Sequence, residues 1–269
     1  MQAKTLTHRR PLVFGLAVTL GFILLVVISS VIVGAQWAGD TLEWYIGSAI
    51  GRLVSIVILF GILLRLGWLH SAGFARPGDW KSWLLSLICL VYSIAVSMAA
   101  FTGNFNFVVP DPALAGFASL FIMSHAFLEE VAFRGLVMHS LVRAWSSASR
   151  GNLKSGLISA VFFGGMHLFY ILGEPLPVVL PRMLVAFLLG IIFAALVLRG
   201  RSIYPAAFFH GVLNLAGYLN LTSNAAVGTP SAWLLLCLLL LPLSLYGWYL
   251  LRDIPQLDVN HAVLLRRTS

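Results

Sequence analysis

The sequence predicts an all-α polytopic membrane protein of about eight transmembrane helices, with both termini cytoplasmic. Hydrophobic residues make up 60% of the 269 positions and charged ones only 10%. Mean hydropathy is +0.96. Several apolar stretches exceed the ~18 residues that a bilayer-spanning helix needs. A soluble domain carries ~25% charged residues, and a disordered chain lacks this much apolar side chain.

Polar and Pro/Gly breaks divide the apolar runs into eight spans: Leu12 to Gly34, Trp44 to Leu66, Trp83 to Phe101, Ala113 to Val142, Ser155 to Leu172, Met183 to Leu198, Ile203 to Leu221 and Trp233 to Leu251. The first, at 23 residues, exceeds the ~7 to 15 of a signal-peptide core and reads as an anchor. Of the 17 Lys and Arg, 14 flank alternate spans on one side: Lys4, Arg9 and Arg10 before the first, then clusters after the second, fourth, sixth and eighth. Basic residues favour cytoplasmic loops, so that side is cytoplasmic. The intervening loops hold Asp40, Glu43, Asp111 and Glu174, with Arg182 as the basic exception. A missed or invented span would scatter basic loops over both sides.

The net charge of +8 does not indicate nucleic acid, because the cations sit in short loops rather than on one solvated face. Cys89 and Cys237 lie inside apolar runs, which supports neither a disulfide framework nor a cysteine-metal site. No linker or internal repeat interrupts the chain, which reads as a single membrane domain over 1–269.

A charge at mid-bilayer costs ~2.5 to 3.5 kcal/mol on insertion scales, so those present face a bundle interior or a watery cavity. The fourth span contains His125, Glu129, Glu130 and Arg134. Glu130 and Arg134, four apart, share a helix face and can pair. Glu129 lies ~100° around the helix, one turn after His125, and has no assured cation. One carboxylate is thus paired and the other poised as a general base. The fifth span contributes His167 after Phe163-Gly164-Gly165, whose glycines allow close backbone approach. The seventh contributes His210 and Asn214, again four apart on one face. Each alone reads equally well as interhelical hydrogen bonding. Together they align: Glu130, His167 and Asn214 each lie 13 residues from a cytoplasmic charge, ~20 Å along the helix, with His210 a turn nearer the cytoplasm.

A carboxylate and a histidine can deprotonate a water, while a second histidine and an amide donate to the oxyanion formed when that water attacks a carbonyl. That set describes peptide hydrolysis. Glu129, His167 and His210 could instead hold Zn²⁺ with an open position, although no HExxH helix is present. Serine chemistry lacks a GxSxG motif.

Three motifs resemble the CPBP intramembrane proteases, the CAAX prenyl protease and bacteriocin-processing group also called Abi. The EExxxR signature stands as Glu129-Glu130 with Arg134, FxxxH as Phe163 with His167, and HxxxN as His210 with Asn214, over about 113–221. The resemblance implies a glutamate-type endopeptidase without cofactor, Zn²⁺ being the alternative. Glu129 with His167 would activate water, His210 with Asn214 would form the oxyanion hole, and Glu130, Arg134 and Phe163 would support the site. It also implies a membrane-associated protein or peptide substrate and a bacterial inner (plasma) membrane setting. Eukaryotic members remove the last three residues from prenylated proteins; many bacterial ones resemble bacteriocin self-immunity proteins. A non-enzymatic immunity or scaffold protein is the competing class, and a proton-coupled transporter ranks below it for want of broken helices or a repeat. His125 and Arg52 belong to no signature. The fourth run, at 30 residues or ~45 Å, exceeds the hydrocarbon core, which tilt or a cytoplasmic projection would explain.

Overall fold

The computed structural model describes residues 6–101, 111–221 and 229–254. Those residues form helices and no strand: α1 (Leu6–Arg9), α2 (Pro11–Gly34), α3 (Leu42–Leu66), α4 (Trp80–Ala100), α5 (Pro112–Glu130), a π-helical segment (Val131–Met138), α6 (His139–Trp145), α7 (Gly151–Met166), a 3₁₀ turn (His167–Leu172), α8 (Leu176–Gly200), α9 (Tyr204–Leu221) and α10 (Pro230–Arg252). Among them seven helical runs are long and apolar enough to cross a membrane, with Pro112–Trp145 and Gly151–Leu172 each counted once. The 18-residue α9 takes the place of the remaining expected span. The protein is an integral, multi-pass, all-α membrane protein.

Side-chain caps start four of the long helices. Thr41, Asp79, Asp111 and Thr229 accept from Trp44, Ser82, Ala113 and Ala232 backbone N–H groups, satisfying donors that have no intrahelical acceptor. Asp79 lies outside the spans, and its hydrogen bonds with Ser82 hold its carboxyl below the usual carboxylate range. The sixth span starts earlier than Met183 because the helix runs through Pro181. That proline forfeits one hydrogen bond, to the Pro177 carbonyl.

Within the bundle α8 is central: 67% of its apolar window is buried, against 17% for α2. It packs on α7 and α10, while α5 lies between α3 and α9. Leu16, Leu20 and Leu24 of α2, Val57 of α3, Val91 of α4 and Leu238 of α10 are exposed, as lipid-facing positions must be, since a bilayer leaves apolar side chains no reason to turn inward. Gly164 bears out the expected close approach, since a Cβ there would lie 2.9 Å from the Met183 carbonyl oxygen of α8; one at Gly165 meets nothing within 4 Å.

The fourth span differs from the regular helix expected. Directly after Glu130 its backbone widens into i→i+5 turns through Met138, every residue of which is buried. Such a stretch frees backbone groups that must find partners within the protein. Ser159 of α7 donates to the Phe133 carbonyl at 2.9 Å. The widened turns gather more residues per turn than an α-helix, so counting 1.5 Å per residue from Arg143 places Glu130 too far from the cytoplasmic end.

Candidate functional site

Glu129 and Glu130 end α5, buried to 3% and 0% exposure. The expected Glu130 to Arg134 pair is present, with Arg134 Nη1 3.0 Å from Glu130 Oε1. Arg134 is itself buried, and it donates through Nη2 to the Gly190 carbonyl of α8 at 3.4 Å. Its guanidinium lies 4.4 Å from the centroid of the Phe163 ring and 5.1 Å from that of Phe193. Two aromatic faces and one carboxylate thus neutralise a cation that would otherwise be unaffordable in an apolar interior.

His210 of α9 reaches both carboxylates. Its Nδ1 lies 2.9 Å from Glu130 Oε1 and its Nε2 3.2 Å from Glu129 Oε2. A ring nitrogen faces a carboxylate favourably only with a proton between them, so this arrangement asks for one proton in each gap. Phe193 stacks on the His210 ring at 4.8 Å and 24°, while Phe163 meets it edge-on at 5.6 Å. His210 thus meets Glu130 directly.

His167 begins the 3₁₀ turn after α7, and its Nδ1 donates to the Phe163 carbonyl at 2.9 Å. A carbonyl only accepts, so Nδ1 carries the proton and Nε2 keeps its lone pair. No hydrogen bond occupies that Nε2 among the described residues. His167, His125, Glu129, His210 and Asn214 all line one cavity of about 510 Å³. Its remaining walls are mostly apolar, among them Ile94, Phe121, Leu189, Leu213, Leu236 and Leu240. Asn214 makes no hydrogen bond among the described residues and is half-buried.

The expected residues thus gather at one cavity in two groups. Glu129, Glu130, Arg134 and His210 are in direct polar contact; His167 joins through Phe163, and Asn214 through the cavity alone. Glu129 is not the unpaired acid that the sequence suggested: His125 Nε2 lies 3.4 Å from its Oε1 and His210 Nε2 3.2 Å from its Oε2. Among the described residues no three His, Cys, Asp or Glu side chains converge as ligands, and both His210 nitrogens face carboxylates. Phe193 and the Gly190 carbonyl carry no sequence signal, because neither residue has a polar side chain and α8 carries no motif.

A carboxylate, an imidazole lone pair and the Asn214 amide thus line one space. No curated protein and no solved structure matches the chain. Residues 111–216 match the family model described as type II CAAX prenyl endopeptidase Rce1-like, an interval that begins at the cap of α5 and ends just beyond Asn214 in α9. Over that interval the chain resembles the CPBP/CAAX protease family.

Proposed function

We propose that this protein is an intramembrane endopeptidase that hydrolyses a peptide bond of a membrane-associated protein or peptide using water activated by Glu129 and His167. One observation carries the reading: Glu129 and His167 line the same cavity, and the His167 Nδ1–H to Phe163 bond leaves Nε2 free to accept a proton. The water oxygen attacks the scissile carbonyl carbon as its proton passes to this pair. Asn214 donates to the developing oxyanion. His210 Nε2–H joins it, turning from the longer of its two contacts, 3.2 Å to Glu129. Collapse of the tetrahedral intermediate breaks the C–N bond, and the abstracted proton leaves with the amine. Glu130, Arg134 and Phe163 keep the pair in register.

The apolar walls suit a lipid-modified substrate, and the likeness to CAAX prenyl endopeptidases extends the proposal to a prenylated C-terminal tail. The alternating basic loops support cytoplasmic termini, and a bacterial inner membrane is the setting we propose.

The test uses purified protein in liposomes with an internally quenched peptide ending in a farnesylated cysteine and three further residues. The native chain should release the C-terminal tripeptide, identified by mass spectrometry. Glu129→Gln and His167→Ala should each abolish release while inserting and eluting as the native chain does. Full activity in either variant would overturn the mechanism. Preference for the unfarnesylated peptide would reassign the substrate.

A further inference from the structure

Arg52 of α3 is 4% exposed inside a span, outside the matched segment, and a guanidinium there needs a reason. Its Nε donates to His125 Nδ1 at 2.9 Å. Its terminal nitrogens donate to Ser29 Oγ and, at 3.2 Å, to Ser30 Oγ of α2. A guanidinium has donors only, so His125 Nδ1 must accept, and the ring proton stands on Nε2. That Nε2 lies 3.4 Å from Glu129 Oε1. Phe121 holds both members: its ring stacks on His125 at 6.2 Å and 29°, and the Arg52 guanidinium lies 5.4 Å from its centroid. At Gly51 the neighbouring α2 comes so near that a Cβ would lie 2.8 Å from that of Ser29, which brings both serine hydroxyls within reach of Arg52.

We propose that Arg52 and His125 are positioning residues for Glu129, forming a donor chain that runs from α2 and α3 into the cavity. Arg52 fixes the tautomer and tilt of His125. His125 Nε2–H then faces Glu129 Oε1, a contact that persists when His210 turns from Oε2 to the oxyanion. Oriented through Oε1, the carboxylate keeps one rotamer and still has lone pairs for water. The inference rests on Glu129 being the base, and it extends the functional unit beyond 111–216 to the first two long helices. A merely structural arginine would need neither His125 in this tautomer nor the Glu129 contact.

The same liposome assay tests it through four variants. Arg52→Met and His125→Phe, which remove the donor at each link, should lower kcat by about 10- to 100-fold with KM unchanged. Arg52→Lys and His125→Gln, which keep a donor, should recover most of that loss. Native kcat in the Met and Phe variants, or no recovery in the Lys and Gln variants, would overturn the proposal. The milder Ser29→Ala/Ser30→Ala variant leaves all three members in place and should lose kcat by a few-fold. Should the Met and Phe variants fail to fold, native kcat in this serine variant would overturn the proposal. Nitrogen NMR of histidine-labelled protein needs no substrate: His125 should show a bare Nδ1 and a protonated Nε2, a state lost in Arg52→Met. A protonated Nδ1 in the native chain would overturn the donor chain even if the peptide is cleaved. Failure of the native chain to cleave would count against the endopeptidase reading and leave the NMR result to decide this one.

Discussion

The Arg134 guanidinium lies 4.4 Å over the Phe163 ring, joining the π-helical segment of the fourth span to α7. The same phenylalanine offers its carbonyl to His167 and its ring edge to His210. An aromatic residue four positions before His167 therefore does three things: it neutralises a buried cation, sets a histidine tautomer and wedges a second histidine.

Phe163→Leu should consequently lower melting temperature and activity together. A desolvated cation–π contact contributes about 2 kcal/mol, beyond the apolar volume that leucine largely restores. Phe169, 37% exposed in the 3₁₀ turn, is the control, and Phe169→Leu should change neither. A Phe163→Leu protein that melts with the native chain would show that Arg134 does not depend on this ring.

The two adjacent carboxylates should part in their effect on stability. Glu130 holds Arg134 and His210 with no exposure at all, so Glu130→Ala strands a buried guanidinium and an imidazole. Breaking such a pair from one side costs ~3 to 5 kcal/mol. Glu129 contacts only the two histidines, and its removal leaves no buried arginine unpaired. Thermal melts in one detergent should show the larger loss for Glu130→Ala; superimposable curves would remove the Glu130 to Arg134 pair from the account of stability.

How much of this was legible depends on the length scale of the signal. Apolar run length marked the bundle, and i,i+4 spacing marked Glu130 with Arg134, because both are properties of one helix. A count of residues along the fourth span assumes a uniform rise, and the widened backbone after Glu130 leaves no compositional trace. Arg52 stood out by its cost in lipid. Its partner His125 lies 73 residues away, a distance that single-helix periodicity cannot bridge. Phe193 was invisible for the opposite reason: it is one more apolar residue in an apolar span.

The alternation of basic loops makes a topological prediction. Cysteine placed at Gly39, between α2 and α3, should react with an impermeant thiol reagent in intact cells. Cysteine at Ser147, between α6 and α7, should react only after lysis. The native Cys89 and Cys237 are buried and should give little background. Labelling of the Ser147 variant in intact cells would invert or break the eight-span arrangement.

The last prediction concerns metal. A catalytic zinc site draws three protein ligands to within ~2.2 Å of one ion and leaves a fourth position for water. Here His210 Nδ1 faces Glu130 at 2.9 Å and Nε2 faces Glu129 at 3.2 Å, so ligation through Nε2 would displace the proton it offers an oxyanion. His167 Nε2 is free, yet His167 contacts the carboxylate cluster through Phe163 rather than directly. Asn214, an amide and a weak ligand, would have no part in a zinc site but has one as the proposed oxyanion donor. Activity should therefore survive exhaustive chelation of the purified protein. The decisive measurement is metal content alongside turnover: stoichiometric zinc, with activity lost on removal and restored on addition, would make Glu129, His167 and His210 ligands and reduce the donor role of His210 to a secondary one.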